Sequence, residues 1–187
     1  FPTRRSSDLD IAKTEFVGYT GMKATAKVTA IVKDGARIEA AETGDDIVFT
    51  LDRTSFYAES GGQVGDTGVI TNDSCTIRVL DTTKNAAGVF IHKAVVEEGF
   101  LREGDTVEAV VDVERRRAIM RNHTAAHLLQ AALRSVLGDH VEQAGQLVNE
   151  NAVRFDFTHF SALTDEELLA VENLVNEKIL EDIKVEC

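Results

Sequence analysis

The sequence predicts an α+β protein: a small β-barrel followed by a two-layer α+β domain that the chain carries only in part. Residues 14–113 contain short apolar, β-branched runs separated by Gly, Asp and Asn, a pattern typical of strands and turns. From residue 114 the apolar residues instead recur with the spacing of a helix. This change of period predicts a boundary near residue 113, between a barrel domain at 14–113 and a truncated second domain at 114–187. An N-terminal tail at 1–13 precedes the barrel.

The barrel prediction follows from strands that are short and evenly spaced. Asp34-Gly35 is a strong hairpin signal, because both central residues of such a tight turn need positive φ. The strands are predicted at 24–33, 37–41, 46–51, 65–71, 75–81, 89–93 and 106–113.

In the second domain a helix is predicted at 114–137 and ends at Gly138, as helices often end at a glycine. Its apolar stripe must face a core, with His123 on the stripe and His127 at its border. The stripe consists of Ile119, Ala126, Leu129, Leu133 and Val136.

Two strands are predicted next, at 141–148 and 152–157. Thr164 and Glu167 then form a capping-box pattern that opens a second helix. The buried face predicted for that helix consists of Leu168, Val171, Val175 and Ile179.

Composition narrows the class of protein. With 187 residues and 43% hydrophobic content the chain can bury a core, and no run approaches the ~20 apolar residues of a membrane span. Cys75 and Cys187 are too few and too distant for a disulfide framework, so we expect inert cysteines, a cytoplasmic protein and no membrane partner. The net charge of -12 argues against a protein that coats nucleic acid by bulk electrostatics.

Charge is unevenly distributed along the chain. Residues 115–138 contain five arginines and no carboxylate, whereas 164–187 carry eight carboxylates against two lysines. The histidine helix is therefore predicted to offer a local basic surface, although an ordinary solvated face explains the run equally well.

The chain is expected to be a piece of a longer protein. Its first residue is Phe1 and its first methionine is Met22. The last residue, Cys187, falls within an alternation of apolar and polar residues, and no signal there ends the element. Residues 1–9 show no periodicity and are set aside as a non-native tail.

His123 and His127 lie four residues apart, so both project from one helix face and can reach one metal ion. A catalytic zinc usually takes about three protein ligands, so this pair is part of a site. Two hydrogen-bonded core histidines are the alternative. Thr124 stands where a His-Glu-x-x-His protease has its glutamate, which disfavours that reaction.

The stretch 51–68 is rich in glycine, which permits close approach of backbone to backbone or to a ligand. Gly61-Gly62-Gln63 also occurs at the tip of peptide-release factors, where it meets the tRNA 3′ end. A glycine-rich bend within the barrel is the stronger interpretation here, because strands flank the tripeptide.

Taken together, the stretches 51–68, 121–129 and 141–157 resemble the middle of bacterial alanyl-tRNA synthetases, where a β-barrel precedes the editing domain. The glycine-rich bend, the histidine pair, Gln143-Ala144-Gly145 and the 154–157 stretch follow the family's order. The resemblance implies hydrolysis of serine or glycine wrongly esterified to tRNA(Ala). It also implies zinc at His123 and His127, with the remaining ligands beyond this chain.

The same resemblance implies that Gln143 lines the catalytic pocket. It further suggests Arg121, Thr124, Gly61 and Gly62 as substrate-binding residues, with the arginines of the helix near the tRNA(Ala) acceptor end. ATP and Mg²⁺ would belong to a ligase core that this chain lacks, and the oligomeric state stays open.

Two departures from the family pattern, Ala126 and Gln146, each remove a hydroxyl that could bind serine. The alternatives to a ligase fragment are a free-standing editing deacylase and a non-catalytic tRNA-docking module. By itself the fragment is expected to be inactive.

Overall fold

The computed structural model describes residues 11–183. Within that range the chain forms two compact units, the first made of residues 11–60 and 65–113 and the second of residues 61–64 and 114–183. The predictions for the first ten residues and for Cys187 lie outside the described residues. None of the helices found between residues 11 and 183 has both the length and the apolar character needed to cross a membrane.

The first unit is a closed barrel of six antiparallel strands, as predicted. Around the barrel the order is β10-β7-β8-β9-β5-β2, and antiparallel pairing of β10 with β2 closes the circle. The strands of the unit are β1 (Glu15–Phe16), β2 (Lys23–Lys33), β3 (Ala36–Ile38), β4 (Ala40–Glu42), β5 (Asp46–Leu51), β6 (Arg53–Thr54), β7 (Gly68–Asn72), β8 (Cys75–Lys84), β9 (Phe90–Arg102) and β10 (Thr106–Val111).

The short strands β1, β3, β4 and β6 lie outside the closed circle of six strands. The predicted hairpin joins β2 to β3, and its Asp34 and Gly35 have φ of 51° and 79°. The strand predicted at 37–41 is split, because β3 pairs with β2 while β4 pairs with β9. β9 continues to Arg102, well past the predicted end at residue 93, because its second half pairs with β8, β5 and β4.

The barrel encloses one apolar core. Phe49, Phe56 and Leu101 are among its fully buried side chains, and the free Cys75 packs in the same cluster. The Cys75 thiol therefore has the inert packing role that the sequence predicts, and burial raises the pKa of that thiol.

The second unit contains α1 (Val113–Leu137), the antiparallel pair β11 (Gln143–Val148) and β12 (Val153–Phe157), and α2 (Asp165–Leu180). The predicted stripe of α1 is confirmed: Ile119, Ala126 and Leu133 are buried. Leu129 and Val136 are half-buried against the same cores. Two apolar clusters hold α1 against the β11–β12 hairpin, one of which also includes Val171 of α2.

The predicted buried face of α2 is only partly correct. Val171 is buried and Val175 half-buried, but Leu168 and Ile179 are 52% and 53% exposed. Val171, Leu174 and Val175 share an apolar cluster with residues of α1 and β12, whereas Leu168 and Ile179, about one turn toward either end of α2, lie beyond that cluster. The capping box is present: Thr164 accepts from the backbone N–H of Glu167, whose carboxylate accepts from the N–H of Thr164.

Candidate metal and RNA site

The second unit includes the tetrapeptide Gly61–Val64, which is far from α1 in the sequence. The N–H of Val64 donates to the carbonyl of Val148 at 3.1 Å, and the N–H of Val148 donates to the carbonyl of Gly62 at 2.7 Å. These two bonds make a parallel bridge between Gln63 and Val148. The prediction of a bend within the barrel is therefore wrong for residues 61–64. The backbone groups of Gly62 and Val64 form their hydrogen bonds with β11, in the second unit.

Glycine is required at the approach to this bridge. Gly61 and Gly62 have φ of 59° and 83°, in the left-handed region. A Cβ on Gly62 would collide with the carbonyl and side chain of Gln146, whereas one on Gly61 would meet open space. Gln146 also donates from Nε2 to the carbonyl of Gly61 at 2.6 Å. Gln146 thus holds the glycine-rich segment against β11.

His123 and His127 are adjacent on one face of α1, as predicted. Their ring centroids are 5.1 Å apart and their planes differ by 16°. His123 is half-buried and His127 is exposed, so the alternative of two core histidines is wrong for His127. The buried stripe runs through Ile119 and Ala126, which directs the following residue toward solvent.

The orientation of His123 is fixed by Gln63. Gln63 Oε1 lies 2.5 Å from His123 Nδ1, and the Gln63 side chain is 6% exposed. An amide oxygen can only accept, so Nδ1 carries the proton and Nε2 keeps its lone pair. Burial lowers the pKa of His123, and the neighbouring His127 lowers it further. Both effects favour the neutral imidazole that a metal ion requires.

The histidine pair fits two positions of a metal site. One ring keeps an Nε2 lone pair and has an oriented Nδ1–H, and the other ring is exposed beside it. Between residues 11 and 183 no group of three or more His, Cys, Asp and Glu residues could hold a metal ion. Because a catalytic zinc takes about three protein ligands, the described residues supply a partial set.

The other predicted site residues lie on the same unit. Arg121 and Thr124 are exposed on α1, and the Thr124 hydroxyl donates to the carbonyl of Met120 at 3.1 Å. Gln143 is exposed at the first position of β11, opposite Phe157. Within the part of the chain that the structure describes, no hydrogen bond joins Gln143 to either histidine. The roles assigned to these residues stay predictions.

The basic surface of α1 is smaller than its five arginines suggest. Arg116 is buried, Arg115 pairs with Glu150 at 3.2 Å, and Arg134 pairs with Asp139 at 3.2 Å. The guanidinium groups of Arg117 and Arg121 are on exposed side chains. Among the arginines of α1, those that are exposed and form no ion pair with a described carboxylate thus lie on the turns just before the histidine pair.

Gln63 is a site residue that the sequence pattern does not predict. The available signal was a polar side chain directly after two glycines within a strand-like run, but its partner is 60 positions away. A second histidine pair was also missed. His140 Nε2 and His159 Nδ1 are 2.9 Å apart, and the ring of Phe160, 85% exposed, stacks on His140 at 4.4 Å.

Comparison with known proteins identifies the family. A family model described as tRNA synthetases class II (A) matches residues 4–115, which include part of the stretch set aside as a tail. The chain is 55% identical over 174 residues to an alanine–tRNA ligase of Acetivibrio thermocellus, covering 93% of this chain and 20% of the relative.

Two further alanine–tRNA ligases are similar. That of Thermoanaerobacter pseudethanolicus is 50% identical over 96% of this chain, and that of Bacillus velezensis is 47% identical over 93% of it. The chain spans about a fifth of the length of these curated relatives. It belongs to the class II (A) tRNA synthetase family, and these relatives are alanine–tRNA ligases.

Proposed function

We propose that this chain forms part of the editing site of an alanine–tRNA ligase, where serine or glycine wrongly esterified to tRNA(Ala) is hydrolysed. The observation that carries the proposal is the adjacent pair His123 and His127, with ring centroids 5.1 Å apart on one face of α1. The similarity to alanine–tRNA ligases supports it.

The proposed substrate class follows from a limit on molecular recognition. A pocket shaped for alanine cannot strongly reject glycine, which lacks one methyl group, or serine, which adds one hydroxyl. A separate hydrolytic site then supplies the missing discrimination by removing the wrong amino acid after it has been attached.

His123 and His127 would hold a zinc ion together with ligands from beyond this chain. Such an ion supplies Lewis-acid chemistry toward the ester or a water molecule. His123 contributes a neutral ring, since burial lowers the pKa of its imidazole. The exposure of His127 keeps one side of the pair open to the ester.

The remaining predicted residues would bind the RNA and the aminoacyl group. Arg121 lies two residues before His123 on the exposed side of α1, where its guanidinium can pair with acceptor-end phosphates. Thr124, exposed on the same helix, and Gly61, whose α-carbon faces open space, would contact the same ligand. Gly62 is closed off by Gln146, so its part is to shape the segment. Gln143 would contact the substrate within the pocket.

The parent enzyme would use ATP and Mg²⁺ to attach alanine to tRNA(Ala) in a different part of the polypeptide. The relatives named above are all ligases, which favours such a parent over a free-standing deacylase. We place the activity in the cytoplasm, in keeping with the composition.

The test uses the full-length ligase that contains this chain, with His123→Ala, His127→Ala and the double replacement. Each variant should lose clearance of seryl-tRNA(Ala) and keep alanine charging nearly intact. Single and double replacements should be almost equally damaging, because the two rings act as one unit. Circular dichroism checks that each variant is folded.

Clearance of seryl-tRNA(Ala) at the parental rate by the folded double variant would contradict the proposal. Loss of alanine charging together with editing would indicate a general folding defect and would also count against a dedicated site on α1.

A further inference from the structure

We infer that Gln63 is the positioning residue of this site: its side-chain oxygen holds the His123 ring at Nδ1 and leaves Nε2 for the metal ion that the proposed function requires. The inference rests on the proposed function, because it gives that function's metal ligand a fixed orientation.

The first support is the contact itself. Gln63 Oε1 lies 2.5 Å from His123 Nδ1, and the Gln63 side chain is 6% exposed. Burying an amide away from water is costly unless its polar atoms are satisfied. A glutamine buried against a half-buried imidazole is therefore a specific arrangement, in contrast to the exposed Gln143 on the neighbouring strand.

The second support is the way the Gln63 backbone is held. The bonds from Val64 to Val148 and from Val148 to Gly62 fix both peptide units that flank Gln63. Val148 is itself fully buried and packs with Ile119 of α1. The acceptor oxygen is thus attached to the core that also carries the histidine helix, so its position is set by packing.

The third support is chemical. A histidine that binds a metal through one ring nitrogen usually donates its other N–H to an oxygen, and this bond fixes the tautomer and the ring rotation. Gln63 provides that oxygen without a negative charge. The two left-handed glycines before it let the chain reach β11.

The tautomer of His123 provides a direct test in the 187-residue chain, without metal. In ¹⁵N-labelled protein the His123 ring should carry its proton on Nδ1. Gln63→Leu removes the acceptor and should move the proton to Nε2, whereas Gln63→Glu keeps an acceptor and should keep Nδ1–H. The rings of His140 and His159 in the same spectrum are internal controls, and their unchanged signals show that the hairpin is still folded.

The inference is overturned if the unaltered protein carries the His123 proton on Nε2. It is equally overturned if folded Gln63→Leu retains Nδ1–H, since the ring orientation would then have another cause.

Zinc affinity tests the consequence for the metal, in the full-length ligase. Loss of the orienting oxygen should weaken zinc binding by roughly 10–100-fold in Gln63→Leu, with most of the affinity restored in Gln63→Glu. Zinc binding equal in Gln63→Leu and the parent would overturn the positioning role and leave the proposed function standing. No zinc binding in the parent would overturn the proposed function and the positioning role with it.

Discussion

Inside the barrel, the Thr54 hydroxyl lies 3.0 Å from His92 Nε2, and both side chains are fully buried. On the other side of the ring, His92 Nδ1 faces the carbonyl oxygen of Phe49 at 3.3 Å. That oxygen can only accept, so Nδ1 carries the proton and Nε2 accepts from Thr54. Thr54 Oγ1 in turn accepts from the N–H of Phe56 at 3.1 Å. The network satisfies a neutral imidazole and leaves no place for a second ring proton.

This arrangement predicts acid sensitivity of the barrel. Burial lowers the pKa of His92 from 6.5 to about 4. Below pH 6.5 the unfolded chain binds a proton that the folded chain does not, so the free energy of unfolding should fall as the pH drops toward 4. At about 1.4 kcal/mol per pKa unit, His92 contributes a loss of about 3 kcal/mol over that window. Urea denaturation at a series of pH values measures it.

His92→Gln is the matched variant, because a glutamine amide can donate to Phe49 and accept from Thr54 without titrating. It should remove most of the slope between pH 6.5 and 4. An unchanged slope in a folded His92→Gln protein would show that other groups govern the acid response.

The second prediction concerns the start of α2. Thr164→Ala removes the oxygen that accepts from the N–H of Glu167 at 3.2 Å, so the free energy of unfolding should fall by about 1 kcal/mol. Thermal denaturation followed by circular dichroism measures the change. Ser161→Ala, an exposed hydroxyl before the cap, is the control and should stay within about 0.5 kcal/mol of the parent.

The features that the sequence predicts well are local ones. The hairpin at Asp34-Gly35, the capping box at Thr164 and the stripe of α1 each depend on residues within a few positions of one another. Local propensity and spacing determine such features. The adjacency of His123 and His127 belongs to this group, because the helix itself brings them together.

The features that the sequence does not predict depend on contacts between residues far apart in the chain. The bond from Gln63 to His123 joins residues 60 positions apart, and the extension of β9 is stabilised by strands on both sides. Whether Leu168 is buried depends on how far the neighbouring core extends, and the helical period alone does not contain that information. Tertiary pairing decides each of these cases.

The third prediction separates a metal ligand from a pocket contact. In the full-length ligase, Gln143→Ala should reduce the rate of seryl-tRNA(Ala) hydrolysis less than His123→Ala does, because the proposed metal stays in place. Single-turnover deacylation measures both rates under the same conditions. A larger loss in Gln143→Ala than in His123→Ala would make the glutamine, and not the histidine pair, the centre of the chemistry.

The last prediction uses two adjacent glycines that are both left-handed but have different surroundings. Gly62→Ala places a Cβ against the carbonyl of Gln146 and strains a residue with φ of 83°, so it should break the bridge to Val148. Gly61→Ala meets open space and carries only the left-handed backbone cost of roughly 1–2 kcal/mol. Gly62→Ala should therefore lower the free energy of unfolding clearly more than Gly61→Ala does. In Gly62→Ala, hydrogen exchange should also become faster at the N–H groups of Val64 and Val148. Equal destabilisation by the two variants, with both N–H groups still protected in Gly62→Ala, would mean that the segment does not depend on close approach to β11.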